Sequence, residues 1–174
     1  MNRTITRETA RGIVVRDGKI LLIRRSRQNT HGGIDHWLSI PGGGVEHGET
    51  PRRTVVREFQ EELGVTVSIA GFLAVQDVRV DATRHNYFLC LLKGDDEPRL
   101  QVKSEEYERM RGETPNTYEV AWVPLDSSEL PHSLFWSYAE AYRVFASFLE
   151  TGRDIPLQLT TDGDETAAET HVLA

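Results

Sequence analysis

The stretch "PGGGVEHGETPRRTVVREFQEELGV", residues 41–65, decides how the rest of the chain is read. Three consecutive glycines, Gly42, Gly43 and Gly44, run into a segment where Glu46, Glu49, Glu58, Glu61 and Glu62 put five carboxylates within seventeen residues. Thr50 suits a helix N-cap, Pro51 the first helical position and Gly64 the C-terminal stop, which predicts a helix over 51–63. On that helix Glu58, Glu61 and Glu62 stand at i, i+3 and i+4 and share one face. Val55, Phe59 and Leu63 form a second, apolar face, which Val56 extends. The apolar face is expected to pack on a sheet and the acidic face to point outward.

Like charges at this spacing repel by a few tenths of a kcal/mol per pair. They also stand in the C-terminal half of the helix, where the macrodipole disfavours anions. Local stability therefore does not account for the cluster. A divalent cation does: carboxylates on one face suit Mg²⁺ or Mn²⁺, which take hard oxygen donors and keep waters for substrate phosphates. By itself "REFQEE" is the pattern of an ordinary solvated face. The glycines change the odds, because they let backbone amides and carbonyls approach the same place.

Outward from this stretch, "RGIVVRDGKILLIRR" predicts strands near 12–16 and 20–25, joined by a tight Asp17-Gly18 turn. Residues 26–36 read as a mobile polar loop and "WLSI", 37–40, as a short strand entering the glycines. Strands follow in "VTVSIAGFLAVQDVRV" and "NYFLCLLKG". Residues 100–119 read as a long acidic loop, and "VAWVPL" as a last strand. After Pro131, apolar residues at 134, 135, 138, 141, 142, 145, 148 and 149 predict an amphipathic helix. The order predicts an α+β fold, a mixed sheet between helices in an α/β/α sandwich. One domain over 1–156 is expected, with 157–174 a flexible acidic tail.

The bulk numbers exclude several classes. A net charge of −7 argues against general nucleic-acid binding, which draws on Lys and Arg. A single cysteine, Cys90, forms no intrachain disulfide and no Cys-based zinc cluster, and within "YFLCLL" it reads as core. The polar N-terminus is no signal peptide and no apolar run approaches a membrane span, so a soluble, cytoplasmic protein with no membrane partner is expected. His31, His36 and His47 show no zinc spacing. His85 is a candidate to face substrate, with a surface role the commoner outcome. Trp37, Phe72, Tyr87 and Tyr118 are candidates to stack a base, each weighed against core packing.

From Gly43 the spacing is G-x5-E-x7-R-E-F-x-E-E-x-G-V, carried by Gly43, Glu49, Arg57, Glu58, Glu61, Glu62, Gly64 and Val65. This resembles the signature of the Nudix hydrolases, G-x5-E-x7-R-E-U-x-E-E-x-G-U, where U is a bulky apolar residue. The one departure is Phe59, where an aliphatic residue is usual. With the flanking strands, the resemblance spans residues 10–150.

The resemblance implies Mg²⁺-dependent (or Mn²⁺-dependent) hydrolysis of the diphosphate in a nucleoside diphosphate linked to another group: a nucleoside di- or triphosphate, or a nucleotide sugar. It implies Glu58 and Glu62 as metal ligands, with a backbone carbonyl at Gly42 or Gly43. Glu61 would bind metal or handle the proton of the attacking water. Arg57 and Glu49 would hold the carboxylates in register, and Arg57 is counted with the catalytic machinery on that ground. A further base is expected from outside the box, among Glu105, Glu106, Glu113 and Glu119, with the 105–113 loop favoured and Glu106 taken as its representative. Arg25, Gly43, Gly44 and Tyr87 are the expected substrate contacts.

Dimers are common in the family, which leaves a homodimer open. Val80, Asp81 and Ala82 occupy the region where subgroups carry a marker Pro or Tyr, so neither ADP-ribose nor dinucleoside polyphosphates is singled out. The alternatives are a non-catalytic nucleotide-sensing domain, which the intact box disfavours, and an enzyme like the isoprenoid diphosphate isomerases, which need a reactive cysteine.

Overall fold

The computed structural model describes residues 4–78, 82–104, 107, 110, 116–130, 157–161 and 168–172. The elements that lie wholly within them are β1 (Arg7–Arg16), β2 (Lys19–Gln28), β3 (Ile34–Ser39), β4 (Gly42–Gly44), α1 (Pro51–Leu63), β5 (Thr66–Val78), β6 (Thr83–Lys93), β7 (Thr117–Pro124), β8 (Leu157–Thr161) and β9 (Ala168–Val172). The sheet order is β3-β2-β1-β6-β5-β8-β9, with β4 beside β1 and β7 beside β2. The β1–β6 and β5–β8 pairs are parallel and the others antiparallel, so the sheet is mixed and the fold is α+β.

The β1–β2 hairpin turns on Asp17 and Gly18, at φ 51° and 68°, with Arg16 opposite Lys19. Both central residues in the left-handed region are what a two-residue turn between twisted strands requires. The helix starts and stops where Thr50, Pro51 and Gly64 place it. The Arg53 N–H donates to Thr50 Oγ1 at 3.4 Å, and Gly64 takes φ 70°, returning its N–H to Gln60. An N-cap hydroxyl of this kind is worth about 1 kcal/mol.

Period-2 alternation sorts the strand residues onto two faces. Leu21 and Ile23 join Val14, Phe88 and Cys90 under the apolar face of α1, formed by Val55, Phe59 and Leu63. Ile20 and Leu22 join Ile13, Leu38, Leu73 and Leu89 on the other face. Gly12 is what lets Phe59 sit so low on the sheet, since a Cβ there would lie 2.5 Å from Phe59 Cε2. Burying such an aromatic contributes roughly 1.5–3 kcal/mol. The amphipathic helix expected after Pro131 lies outside the described residues.

Three local expectations are corrected. The mobile loop of 26–36 shrinks to residues 29–33, because β2 and β3 pair as far as Gln28 opposite Ile34. Asn29 closes the remaining turn: its Oδ1 accepts the N–H groups of His31 and Gly33, and its Nδ2 donates to Asp35. The glycines 42–44, read as loop, form an edge strand whose partners are Thr9, Ala10 and Arg11 of β1. The segment from 157, expected as a flexible tail, extends the sheet: β8 lies parallel to β5 over 74–78, and β9 pairs with β8. "LQLTT" and "AETHV" are each too short to stand out in a polar, acidic segment, but backbone pairing needs only N–H and carbonyl groups.

Candidate active site

The C-terminal half of α1 faces β4, and this contact grades the acidic face that sequence periodicity leaves uniform. Glu61 is exposed, Glu58 is mostly covered, and Glu62 is 2% exposed. Glu62 is thus corrected from an outward carboxylate to a buried one. Its burial is matched by partners: the Gly42 N–H donates to Glu62 Oε2 at 3.2 Å, and Arg25 Nη2 stands 3.4 Å from Oε1. A buried charge persists only with such partners. Arg25 reaches over from β2 and stacks on Tyr118, 4.9 Å from the ring centroid.

Arg57 organises the remaining carboxylates. Its Nε and Nη2 fork onto Glu49 at 3.1 and 3.0 Å, and Nη2 also donates to the Gly44 carbonyl at 3.0 Å. Nη1 reaches Glu58 at 2.8 Å and Glu61 at 2.9 Å. This bidentate grip is the strong form of a carboxylate–guanidinium contact. Together with the Thr54 hydroxyl and the Glu46 N–H, it holds the Glu49 carboxyl down at about 2. The Arg57 guanidinium is raised in turn, mainly by its bond to Glu49.

Gly43 is dictated by Glu58. The Glu58 carboxylate fills the space where a Cβ on residue 43 would stand. Gly43→Ala is therefore expected to push Glu58 out of the cleft and lower turnover by about tenfold or more, the scale of misplacing a reacting group by a fraction of an ångström. Steady-state assay beside a thermal melt checks this; unchanged kcat would mean that the position of Glu58 does not matter to turnover. Gly42 has a different constraint. At φ 130° its Cβ would strike the Ala10 carbonyl, and its own carbonyl accepts from Arg11 Nη1, which also reaches the Ile40 carbonyl at 3.4 Å.

A cleft of about 1010 Å³ gathers these groups. Gly42, Gly43, Gly44, Glu58, Glu61, Glu62, Arg57 and Arg25 all line it, so most of the residues singled out from the sequence come together. Tyr87 does not line it: the ring is 3% exposed in the core on the face away from α1, with its hydroxyl donating to Gln76 at 3.0 Å. Glu105, Glu106 and Glu113 lie outside the described residues. Glu119 is exposed on β7 opposite Arg24 and is not part of the cleft lining. His85 is partly covered, with Nδ1 2.6 Å from Thr9 Oγ1; burial and then Arg11 and Arg7 push it down to about 4.

The sequence reading missed Arg7, Arg11 and Lys103, which also line the cleft. Arg7 and Arg11 have matching strand parity, but only the pairing of β1 with the glycines brings them here. Lys103 arrives through the segment 99–104. The Arg99 and Gln101 N–H groups donate to the Leu63 and Glu62 carbonyls, both at 3.0 Å, so the segment caps the C-terminus of α1.

The donors suit a hard divalent cation: carboxylates of Glu58, Glu61 and Glu62, with backbone carbonyls beside them. Among the described residues no three acidic, histidine or cysteine side chains already converge as a metal cluster. The hydrogen bonds say why: Arg57 draws Glu58 and Glu61 to itself, while Gly42 and Arg25 hold Glu62. The chemistry fits, provided that Arg57 yields part of its hold.

A mixed sheet, a capped acidic helix and a glycine strand joined through one cleft define a Nudix-type fold. The NUDIX domain family model matches residues 6–145, and the chain belongs to that family. It is 40% identical over 67 residues to the CTP pyrophosphohydrolase of Escherichia coli strain K12, a match covering 38% of this chain and 47% of that protein. It is 44% identical over 64 residues to the ADP-ribose pyrophosphatase of Methanocaldococcus jannaschii, covering 37% of this chain and 36% of the relative. The chain thus spans less than half the length of these two relatives. The crystal structure of a MutT NUDIX hydrolase from Burkholderia pseudomallei superposes with a TM-score of 0.55 at 29% identity, over 79% of this chain and 95% of that one. Among the described residues no helix is long and apolar enough to cross a membrane.

Proposed function

We propose that this protein hydrolyses the diphosphate linkage of a nucleoside diphosphate joined to another group, with Mg²⁺ or Mn²⁺ as cofactor. The observation that carries the reading is the convergence of Glu58, Glu61 and Glu62 with the glycine strand and Arg25 on one cleft. The relatives act, by their names, on CTP and ADP-ribose, which share a nucleoside phosphoanhydride.

Glu58, Glu61 and Glu62 would hold the ion, and the Gly42 oxygen would join them only if Arg11 released it. When bound, the ion neutralises phosphate oxygens and lowers the pKa of a coordinated water. The protein's own contributions follow from the geometry. Arg25, at the cleft wall, pairs with substrate phosphate as well as with Glu62. Gly43 and Gly44 let the phosphates approach the backbone. Glu61 is the most exposed of the three glutamates and takes the proton of the attacking water as general base. Arg57 keeps Glu49, Glu58 and Glu61 in register and relieves their mutual repulsion. Base stacking by Tyr87 would need the ring to leave the core, so Tyr118, beside Arg25, is the better placed aromatic.

The isomerase-like reading is disfavoured by Cys90, which is fully buried and whose thiol burial pushes up to about 12. A thiol in that state is neither nucleophile nor acid at neutral pH.

The test is a panel of nucleoside di- and triphosphates and nucleotide sugars, assayed with Mg²⁺ and with excess EDTA. Hydrolysis of at least one member, abolished by EDTA and restored by Mg²⁺, is the expected result. Activity that persists in EDTA sinks the cofactor assignment. Tight binding of one nucleotide with no hydrolysis of any would make this a sensing domain.

A further inference from the structure

Not all the positive charge of the cleft is used by its carboxylates. Arg57 is spent on Glu49, Glu58 and Glu61, and Arg25 on Glu62. Among the described residues Arg7, Arg11 and Lys103 line the same cleft and form no ion pair. Arg11 donates to two carbonyls, which are neutral, and no carboxylate among the described residues pairs with it. Arg7 and Arg11 project from the same side of β1, four residues apart, and Lys103 stands on the segment that caps α1. His85 registers the same field: after burial, Arg11 and Arg7 are the next causes of its lowered pKa. Among the described residues these cations of the cleft stand outside its ion pairs, in a chain of net charge −7.

We propose that Arg7, Arg11 and Lys103 bind a terminal phosphate, so that the substrate class is the nucleoside triphosphates rather than the nucleotide sugars. The inference rests on the hydrolase reading of this cleft. A sugar-linked diphosphate has only bridging phosphates, whose charge a bound divalent ion would meet. A terminal phosphate adds about −1.5 to −2 of charge and three strong acceptor oxygens. Such a group matches guanidinium forks and an ammonium, which a neutral sugar leaves unpaired and desolvated. The cost of leaving them so is what gives the discrimination.

The experiment is equilibrium titration of the full chain in EDTA with tripolyphosphate and, separately, with ADP-ribose, followed by kcat/KM for nucleoside triphosphates and ADP-ribose with Mg²⁺. Wild-type protein is expected to bind tripolyphosphate at least about tenfold more tightly than ADP-ribose, the scale of one charge-assisted hydrogen bond. Arg7→Ala and Lys103→Ala should each remove about that factor for tripolyphosphate and leave ADP-ribose unchanged. Arg11→Ala is avoided, because Arg11 also holds the Ile40 and Gly42 carbonyls. Equal losses for both ligands would show a general positive patch and overturn the proposal. So would ADP-ribose being bound or hydrolysed as well as the triphosphates, and that result would leave the hydrolase reading intact. Absence of hydrolysis across the panel would sink the hydrolase reading alone, since the titration reads binding without turnover.

Discussion

Glu62→Gln is expected to lose turnover on the order of a hundredfold or more, the scale of removing one group that stabilises developing charge. It is also expected to lower the melting temperature of the metal-free protein. Relief of repulsion between helical carboxylates would point the other way, by a few tenths of a kcal/mol. The structure decides which effect wins. Glu62 is buried, accepts from the Gly42 N–H and faces Arg25. Gln keeps a carbonyl for Gly42 but presents no charge to Arg25, and a charged hydrogen bond lost in a buried setting costs roughly 1–3 kcal/mol. Thermal melts in EDTA, Mg²⁺ titration and kcat on the folded protein separate the two consequences. Full activity at saturating Mg²⁺ would remove Glu62 from the metal site. A rise in the metal-free melting temperature would mean that its contacts with Gly42 and Arg25 stabilise less than the repulsion costs.

Arg57→Ala should have the largest effect on stability, about 2–4 kcal/mol, because five contacts to Glu49, Glu58, Glu61 and Gly44 go at once. It carries a pH signature that a simple packing loss would not. In the wild type the Glu49 carboxyl titrates at about 2 against an ordinary value of 4.5, chiefly through Arg57. A carboxyl whose pKa is depressed on folding contributes stability above its unfolded pKa. That contribution is lost as pH falls from about 4.5 towards 2. Without Arg57 the depression goes, so wild type and variant should differ most at neutral pH and converge through that window. Urea titrations between neutral pH and the acid limb measure this. A stability gap that stays constant across the window would show that the fork on Glu49 is not what Arg57 contributes. Arg57→Lys keeps the charge without the fork and should fall between the two.

Much of the fold was legible because local signals agree with one another. Thr50, Pro51 and Gly64 bound α1 by chemistry that acts within a few residues, and the structure starts and ends the helix there. Asp17-Gly18 needs only its own backbone freedom to make a turn. The alternation in "ILLI" sorts residues onto two faces whatever lies beyond them. Such signals fail where pairing is set by a distant strand. The glycines became β4 because β1 offers an edge, and residues 26–28, 34–36 and 157–161 joined the sheet through backbone groups that every residue carries.

The available chemistry is already written in the chain: glutamates on one helical face, an arginine among them and glycines before them, at a spacing that belongs to one family. Spacing along a helix sets which side chains are neighbours, so those groupings survive in the structure. Their environments come from long-range packing. Glu58, Glu61 and Glu62 are alike on a helical wheel, but β4 crosses one edge of that face, burying Glu62 against Gly42 and leaving Glu61 in solvent. Tyr87 went to the core because its parity on β6 points it away from α1. Arg7, Arg11 and Lys103 reach the cleft through a strand pairing and a helix cap. These are contacts between residues far apart in the chain, and local periodicity says nothing about which strand lies beside which.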